Sequence, residues 1–334
     1  MIKPKNHLWL FGILTILLFV SFIFSLSLGD SGADFSDVLR VFSGKASQQV
    51  YQIIMRIRLP RILAYMVAGG SLALSGSLLQ TLTRNPLADS GILGINAGAG
   101  LVVAIVIAYF SLESRWMIRL MPMLAMLGGC LVIVIVYHIA KKGDQGLSPV
   151  RLIITGVGLS SMISGTMVSI VGNVNPYKVE AIVNWLSGRG TGGNWRTVTV
   201  MVPLLIVLWC LTYYFSHKLN VLSLHEQTAL ALGLDVPKER LRVLVLATGL
   251  AALSVVLVGN VTFVGLVSGH VSRRLIGANH RLSLPASLMF GMLLLLVADS
   301  IGRILLVGTG IPTGLIVASL GAPYFLYLMA QLRS

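Results

Sequence analysis

The sequence RILAYMVAGGSLALSGSLLQTL, residues 61–82, decides the kind of fold that this chain adopts. After Arg61 it carries no charged residue, and about 20 apolar residues are enough for a helix to cross the hydrocarbon core of a membrane. Small residues recur along it, at Gly69, Gly70, Ser71, Ser75, Gly76 and Ser77. Because small side chains let membrane helices approach closely, the stretch predicts a spanning helix packed tightly inside a bundle.

The composition extends this prediction to the whole chain. The 334 residues are 56% hydrophobic and 11% charged, whereas about 25% of the residues in soluble domains are charged. The sequence therefore predicts an all-α polytopic membrane protein, with residues 1–334 forming a single transmembrane domain.

The charged and metal-binding residue types exclude several classes of function. The net charge is +14, but the bases lie between apolar runs, which indicates membrane lipid and partner surfaces rather than nucleic acid. Cys130 and Cys210 lie within apolar runs and predict no disulfide. The six histidines show no spacing typical of a metal site.

About ten membrane spans are predicted from the apolar runs. Their ranges are 8–28, 61–82, 92–110, 121–140, 150–171, 197–215, 243–258, an irregular 259–277, 284–306 and 311–329. Lys3 and Lys5 place the N-terminus in the cytoplasm by the positive-inside rule, and an even number of spans places the C-terminus there too. Segments 29–60 and 172–196 are then extracytoplasmic.

The longest polar interruption deep within the chain is SHKLNVLSLHEQTALALGLDVPKERLR, residues 216–242. Ser223 and Glu226 form the pattern of a capping box, which predicts a short helix through Leu232. Gly233 suits the left-handed position that ends such a helix, and Asp235 can cap a second short helix. The pattern indicates either a surface that a partner protein grips or an ordinary structured loop.

Charged residues within or near the spans are few. Asp299 and Arg303 lie at i, i+4 spacing, which predicts an ion pair on one helix face within the membrane. Arginines nevertheless collect on the predicted outer side, at positions 56, 58, 61, 189, 196 and 303. They predict contacts with an acidic partner or substrate, or with lipid phosphates.

Two further patterns concern transport. Residues 61–79 and 242–259 share their small-residue pattern and would run in opposite directions, which is typical of an inverted repeat. No G-x-x-x-x-G-K-[ST] sequence occurs, so this chain has no phosphate-binding loop of its own. If the protein pumps, its energy comes from another subunit.

Motifs along nearly the whole chain resemble those of the FecCD-type permeases, the membrane subunits of ABC importers for ferric siderophores, haem and cobalamin. The longest is RLPRILAYMVAGGSLALSGSLLQTLTRNPLADSGILGINAGAG, residues 58–100. The others follow in the family's order: NWLSGR (184–189), ALGLDV (231–236), FVGL (263–266), NHRLSLP (279–285), ADSIGR (298–303) and GAPYFLYLM (321–329).

The resemblance implies a type II ABC importer permease fold in an assembly with a second permease, identical or related, and two ATPase subunits. ATP and Mg²⁺ would bind those ATPases, so this chain is expected to be no enzyme and to bind no cofactor. An extracytoplasmic binding lipoprotein or periplasmic binding protein would dock on Arg58, Arg61 and Arg303. The segment 216–242 would be the cytoplasmic coupling loop on the ATPase, with Ser223, Glu226, Leu232, Gly233 and Asp235 at its centre.

The function expected from this resemblance is import of an iron(III)-siderophore across the cytoplasmic (inner) membrane, by alternating access. Haem and cobalamin are alternative cargoes within the same family. An ion-coupled secondary transporter is an alternative from another class, and it would require acidic residues within the spans, of which Asp299 is the candidate.

Overall fold

The computed structural model describes residues 6–28, 34–110, 115–141, 143, 146–189, 193–305 and 311–331. Lys3 and Lys5, which predict the orientation of the N-terminus, lie outside these ranges. The described residues form a π-helix (Ile53–Arg58) and fifteen α-helices. The α-helices are α1 (Asn6–Ser27), α2 (Phe35–Phe42), α3 (Gln48–Gln52), α4 (Leu59–Thr83), α5 (Ile95–Tyr109), α6 (Arg115–Ala140), α7 (Pro149–Gly172), α8 (Pro176–Leu186), α9 (Trp195–Tyr214), α10 (Ser216–Leu222), α11 (Glu226–Ala231), α12 (Val236–Val258), α13 (Val264–Ile276), α14 (His280–Leu305) and α15 (Thr313–Gln331).

Each of the ten predicted spans coincides with a helix. Eight helices in the described part of the chain are long and apolar enough to cross a membrane. The other two are shorter, since α5 has 15 residues and α13 has 13. A helix of 13 residues is about 20 Å long and cannot cross a core of about 30 Å alone. The prediction of a broken eighth span is thus confirmed.

Helix α4 occupies the centre of the bundle and runs antiparallel to α14. At Gly69 the two backbones are so close that a Cβ atom would lie 2.3 Å from the carbonyl oxygen of Gly291. On another face of α4, a Cβ atom at Gly76 would lie 2.4 Å from Cα of Gly265 in α13. The small residues therefore allow the close helix contacts that the sequence predicts.

The break between α12 and α13 exposes backbone groups that need partners within the bundle. The loop that follows α4 and the first turn of α5 provide them. The backbone N–H of Phe263 donates to the Asp89 carboxylate at 3.1 Å, and the Asn96 side-chain amide donates to the carbonyl of Val261 at 3.3 Å. This irregular backbone is thus stabilised by side chains from a distant part of the sequence.

The segment 216–242 differs from its prediction in the role of Ser223 and in the length of the helix that Asp235 caps. The capping box is wrong, because the Ser223 hydroxyl donates to the carbonyl of Asn220 at 2.7 Å, at the end of α10. Helix α11 begins after His225 without a side-chain cap. A serine hydroxyl lies close to the free carbonyl three residues before it at the end of a helix. It therefore bonds to that carbonyl more easily than to a backbone N–H of the next helix.

The second half of this segment follows the prediction more closely. Gly233 has φ +80°, the left-handed conformation expected at the end of a short helix. Asp235 caps the next helix by accepting from the backbone N–H of Lys238 at 3.2 Å. That helix is not short, however, since α12 continues to Val258 without interruption.

We expect Gly76→Ala to destabilise the bundle, because its Cβ atom would overlap the backbone of α13. Overpacking typically costs about 1–3 kcal/mol, and backbone has little room to yield. Gly12→Ala in α1 is the matched control, since nothing lies within 4 Å of its added Cβ atom. Thermal unfolding in lipid nanodiscs compares them, and equal stabilities would contradict the close contact.

Candidate functional site

The carboxylate of Asp299 joins three helices at one end of the α4–α14 pair, here called the Asp299 end. It is fully buried. Arg61 of α4 donates to its Oδ1 from Nε at 3.0 Å and from Nη2 at 2.8 Å. Arg303 Nε lies 3.1 Å from Oδ2, and the Thr313 hydroxyl of α15 lies 3.4 Å from Oδ1. The predicted pair Asp299–Arg303 is confirmed and gains a second arginine.

Two of the arginines hold the final turn of α1. Arg303 Nη1 donates to the carbonyls of Ser25 at 3.2 Å and Leu28 at 3.0 Å. Arg58 Nη1 donates to the carbonyl of Leu26 at 2.6 Å. The last carbonyls of a helix lack intrahelical partners and carry partial negative charge, so guanidinium groups stabilise them. These contacts attach α1 to α14 and to the π-helix that directly precedes α4.

The three arginines expected to contact a docking protein therefore differ in accessibility. The side chain of Arg61 is 41% exposed, that of Arg303 is 13% exposed, and Arg58 is 4% exposed. Arg61 is the member of this set that a partner's carboxylate reaches without rearrangement. No local pattern in the sequence signals its bond to Asp299, because the two residues are 238 positions apart.

Within the segment 216–242, ion pairs fix α10 and α11 to the first turns of α12. Glu226 of α11 binds Arg240 at 2.8 Å, and the nearly buried Glu239 binds Lys218 at 2.7 Å. Asp235 is exposed, and the hydrogen bond from the Lys238 side chain lowers its pKa below the ordinary value. Asp235 is therefore ionised at neutral pH, and its negative charge is favourable at the N-terminus of α12.

Exposed leucines cover the outer side of this segment. The exposed fractions are 42% for Leu224, 52% for Leu230 and 63% for Leu232. An apolar patch bordered by charged residues is typical of a surface that binds another protein. Of the residues predicted here, Leu232 lies on this surface. The surface is shaped by Glu226, Gly233 and Asp235, whereas Ser223 lies at the end of α10.

A cavity of about 740 Å³ lies between α7, α15 and the loops beside α4 and α12. Asp89 and Asn260 border it on one side, and Ser161 and Ser164 of α7 border it on another. Most of its remaining lining is apolar, and the described residues that line it include no basic side chain. Such a surface suits the passage of a large molecule better than tight binding of a small ion.

Among the described residues, eight apolar helices are long enough to cross a membrane, with a charged cluster at one end of the bundle and a structured polar segment at the other. This arrangement is typical of a polytopic transport permease. The model of the FecCD transport family matches residues 17–331, and this chain belongs to that family. It is a permease subunit of an ABC importer.

The relatives extend over nearly the full length of the chain. It is 34% identical to the iron(3+)-hydroxamate import system permease FhuG of Bacillus subtilis, covering 98% of both proteins. It is 36% identical to the ferric enterobactin permease FepD of Escherichia coli, covering 95% of this chain and 94% of FepD. It is 37% identical to the vitamin B12 permease BtuC of Klebsiella pneumoniae, covering 99% of this chain and 96% of BtuC.

A solved structure shows the same architecture. It is described as an inward-facing conformation of a metal-chelate type ABC transporter, with a TM-score of 0.80 and 30% identity. The match covers 98% of this chain and 99% of the other. The type II ABC importer permease fold expected from the sequence is thus confirmed.

We expect Asp299→Asn to reduce the free energy of unfolding by about 3–5 kcal/mol, because it leaves two arginines without their buried counterion. Arg40→Gln is the control, since it breaks an Asp–Arg pair whose arginine side chain is 63% exposed. Such surface pairs contribute at most about 1 kcal/mol. Equilibrium unfolding in detergent measures both, and similar losses would contradict the structural role of Asp299.

Proposed function

We propose that this permease moves an iron(III)-siderophore across the cytoplasmic membrane, driven by separate ATPase subunits. The observation that carries the proposal is full-length similarity to permeases named for ferric hydroxamate and ferric enterobactin. The wide, weakly polar cavity beside α7 supports it, because a bulky chelate needs a broad pathway rather than a tight site. Cobalamin is the second candidate, favoured by the similarity to the vitamin B12 permease, and haem is a further alternative.

The partners follow from the two ends of the bundle. We propose that the leucine-covered segment 216–242 is cytoplasmic and contacts an ATPase that binds ATP and Mg²⁺. The Asp299 end is then extracytoplasmic and receives a cargo-binding protein, and both termini are cytoplasmic. The open face of α7, where Met162 and Val168 are strongly exposed, suits a second permease subunit or lipid.

The geometry of Asp299 disfavours the ion-coupled alternative. A carboxylate that binds and releases protons or cations needs free coordination sites and access to water. Asp299 is fully buried and held between Arg61 and Arg303. Its negative charge is thus committed to the structure of the Asp299 end.

The direct test is recovery and reconstitution of the complex. We expect gentle solubilisation with this chain as bait to recover an ATPase, a binding protein and any related second permease. Proteoliposomes of that complex should take up iron-labelled ferrichrome or ferric enterobactin only when ATP is present. ATP-driven uptake of cobalamin or haem alone would replace the cargo. Uptake that follows an ion gradient without ATP would overturn the ATP-driven mechanism.

We also propose that Arg61 contacts an acidic residue of the binding protein, while Arg58 and Arg303 hold the frame around it. Arg61→Gln should weaken docking about five- to tenfold at low salt and reduce its salt dependence, because one charge pair is lost. Arg58→Gln should mainly lower thermal stability, since Arg58 is buried. Surface plasmon resonance with the recovered binding protein measures the docking affinity of both variants, and thermal unfolding measures their stability. Unchanged affinity in Arg61→Gln would contradict its role.

A further inference from the structure

A chain of hydrogen bonds connects the segment 216–242 to the two central helices at the end opposite Asp299, here called the His280 end. Asn220 of α10 accepts from the backbone N–H of His280 at 2.8 Å and faces its Nδ1 at 2.8 Å, both through Oδ1. Its amide nitrogen donates to Asn279 at 3.1 Å. One side chain from α10 thus caps the first turn of α14.

The chain continues through the imidazole ring to α4. His280 Nε2 lies 2.8 Å from the Thr81 hydroxyl. The bond to Asn279 fixes the Asn220 amide, so its oxygen faces the ring and Nδ1 must carry the proton. In the neutral ring Nε2 can then only accept, so the Thr81 hydroxyl directs its single proton to Nε2 rather than to the carbonyl of Ser77, which lies 2.9 Å away. Three elements are therefore joined in a defined orientation.

The contact between His280 and Thr81 is buried, and a second contact parallels it at the surface. His280 is 4% exposed and Thr81 is 7% exposed, so water competes little for these bonds. Arg84, immediately after α4, donates to the carbonyl of Leu224 at 2.5 Å. The turn before α11 is thus held by the same end of α4 that binds His280.

The helices that receive these contacts extend to the Asp299 end. From His280 to Asp299, α14 rises by about 29 Å at 1.5 Å per residue. Between the two ends, the pair is held by the close contact of Gly69 with Gly291 and by the bond between Ser77 and Ser287 at 2.9 Å. A displacement at one end of so closely packed a pair is transmitted along it.

We propose that the chain Asn220–His280–Thr81 is the positioning element that makes α10, α14 and α4 move as one body when the ATPase pushes on segment 216–242. Without it, ATP hydrolysis would displace the segment without moving the central helices. This inference rests on the proposed function, because it assigns a role within ATP-driven transport. The residues act on the pathway through helix position and do not contact cargo.

Thr81→Val tests the connection with the least disturbance, because it removes the hydroxyl and keeps the shape of the side chain. Thr83→Val is a matched control: Thr83 is also 7% exposed, on the same helix, and its hydroxyl bonds at 2.7 Å to its own helix at Leu79. Thr81→Ser retains the hydroxyl and should rescue coupling. The transporter complex is reconstituted in proteoliposomes with the iron chelate that wild type takes up.

We expect the Thr81→Val transporter to hydrolyse ATP at a rate within about twofold of wild type. It should import about fivefold less iron per ATP, since a fivefold change corresponds to the free energy of one typical hydrogen bond. Thr83→Val and Thr81→Ser should keep the wild-type ratio, and thermal unfolding should not separate Thr81→Val from Thr83→Val. A normal ratio in Thr81→Val, or an equal loss in Thr83→Val, overturns the inference while the proposed function stands. Absence of ATP-driven uptake in wild type overturns both.

Discussion

The close antiparallel contact between α4 and α14 is the constraint on which the rest of the structure depends. Within a membrane, apolar surface gives little drive for helix association, because lipid tails are as apolar as leucine. Helices then associate through dispersion contacts and hydrogen bonds, both of which require a short distance between backbones. Gly69 and Gly291 provide that distance. A larger side chain at either position would separate the pair and the polar contacts at both of its ends.

The arginines near the Asp299 end illustrate how burial changes the meaning of a charge. In the sequence, their position on the predicted outer side indicates a surface that binds an acidic partner. In the fold, Arg58 and Arg303 bind the terminal carbonyls of α1, and Arg303 shares Asp299 with Arg61. A buried charge costs free energy unless it is paired. These guanidinium groups therefore bind acceptors within this chain, which limits their contact with another protein. Under the proposed function, docking depends chiefly on Arg61, the most exposed of the three.

The segment 216–242 is continuous with the core rather than a flexible connection. Glu226 and Arg240 join α11 to α12, and Asn220 joins α10 to α14. Leu224, Leu230 and Leu232 nevertheless remain exposed. Under the proposed function, this segment transmits force, because ion pairs and hydrogen bonds fix it to the core while apolar surface remains exposed for a partner. This arrangement is the structural basis for proposing both an ATPase contact and its coupling to the central helices.

The sequence by itself determined the features that depend on neighbours within about four residues. Apolar runs set the number and positions of the spans, i, i+4 spacing predicted Asp299 with Arg303, and local backbone preference predicted the turn at Gly233 and the cap at Asp235. Ser223 shows the limit even of local patterns, since its hydroxyl had two accessible partners and the preceding helix was nearer. Only the tertiary structure joined Arg61 to Asp299 and Thr81 to His280, which are 238 and 199 positions apart. These pairings follow from which faces of α4 and α14 pack together, and no local period in the sequence encodes that choice.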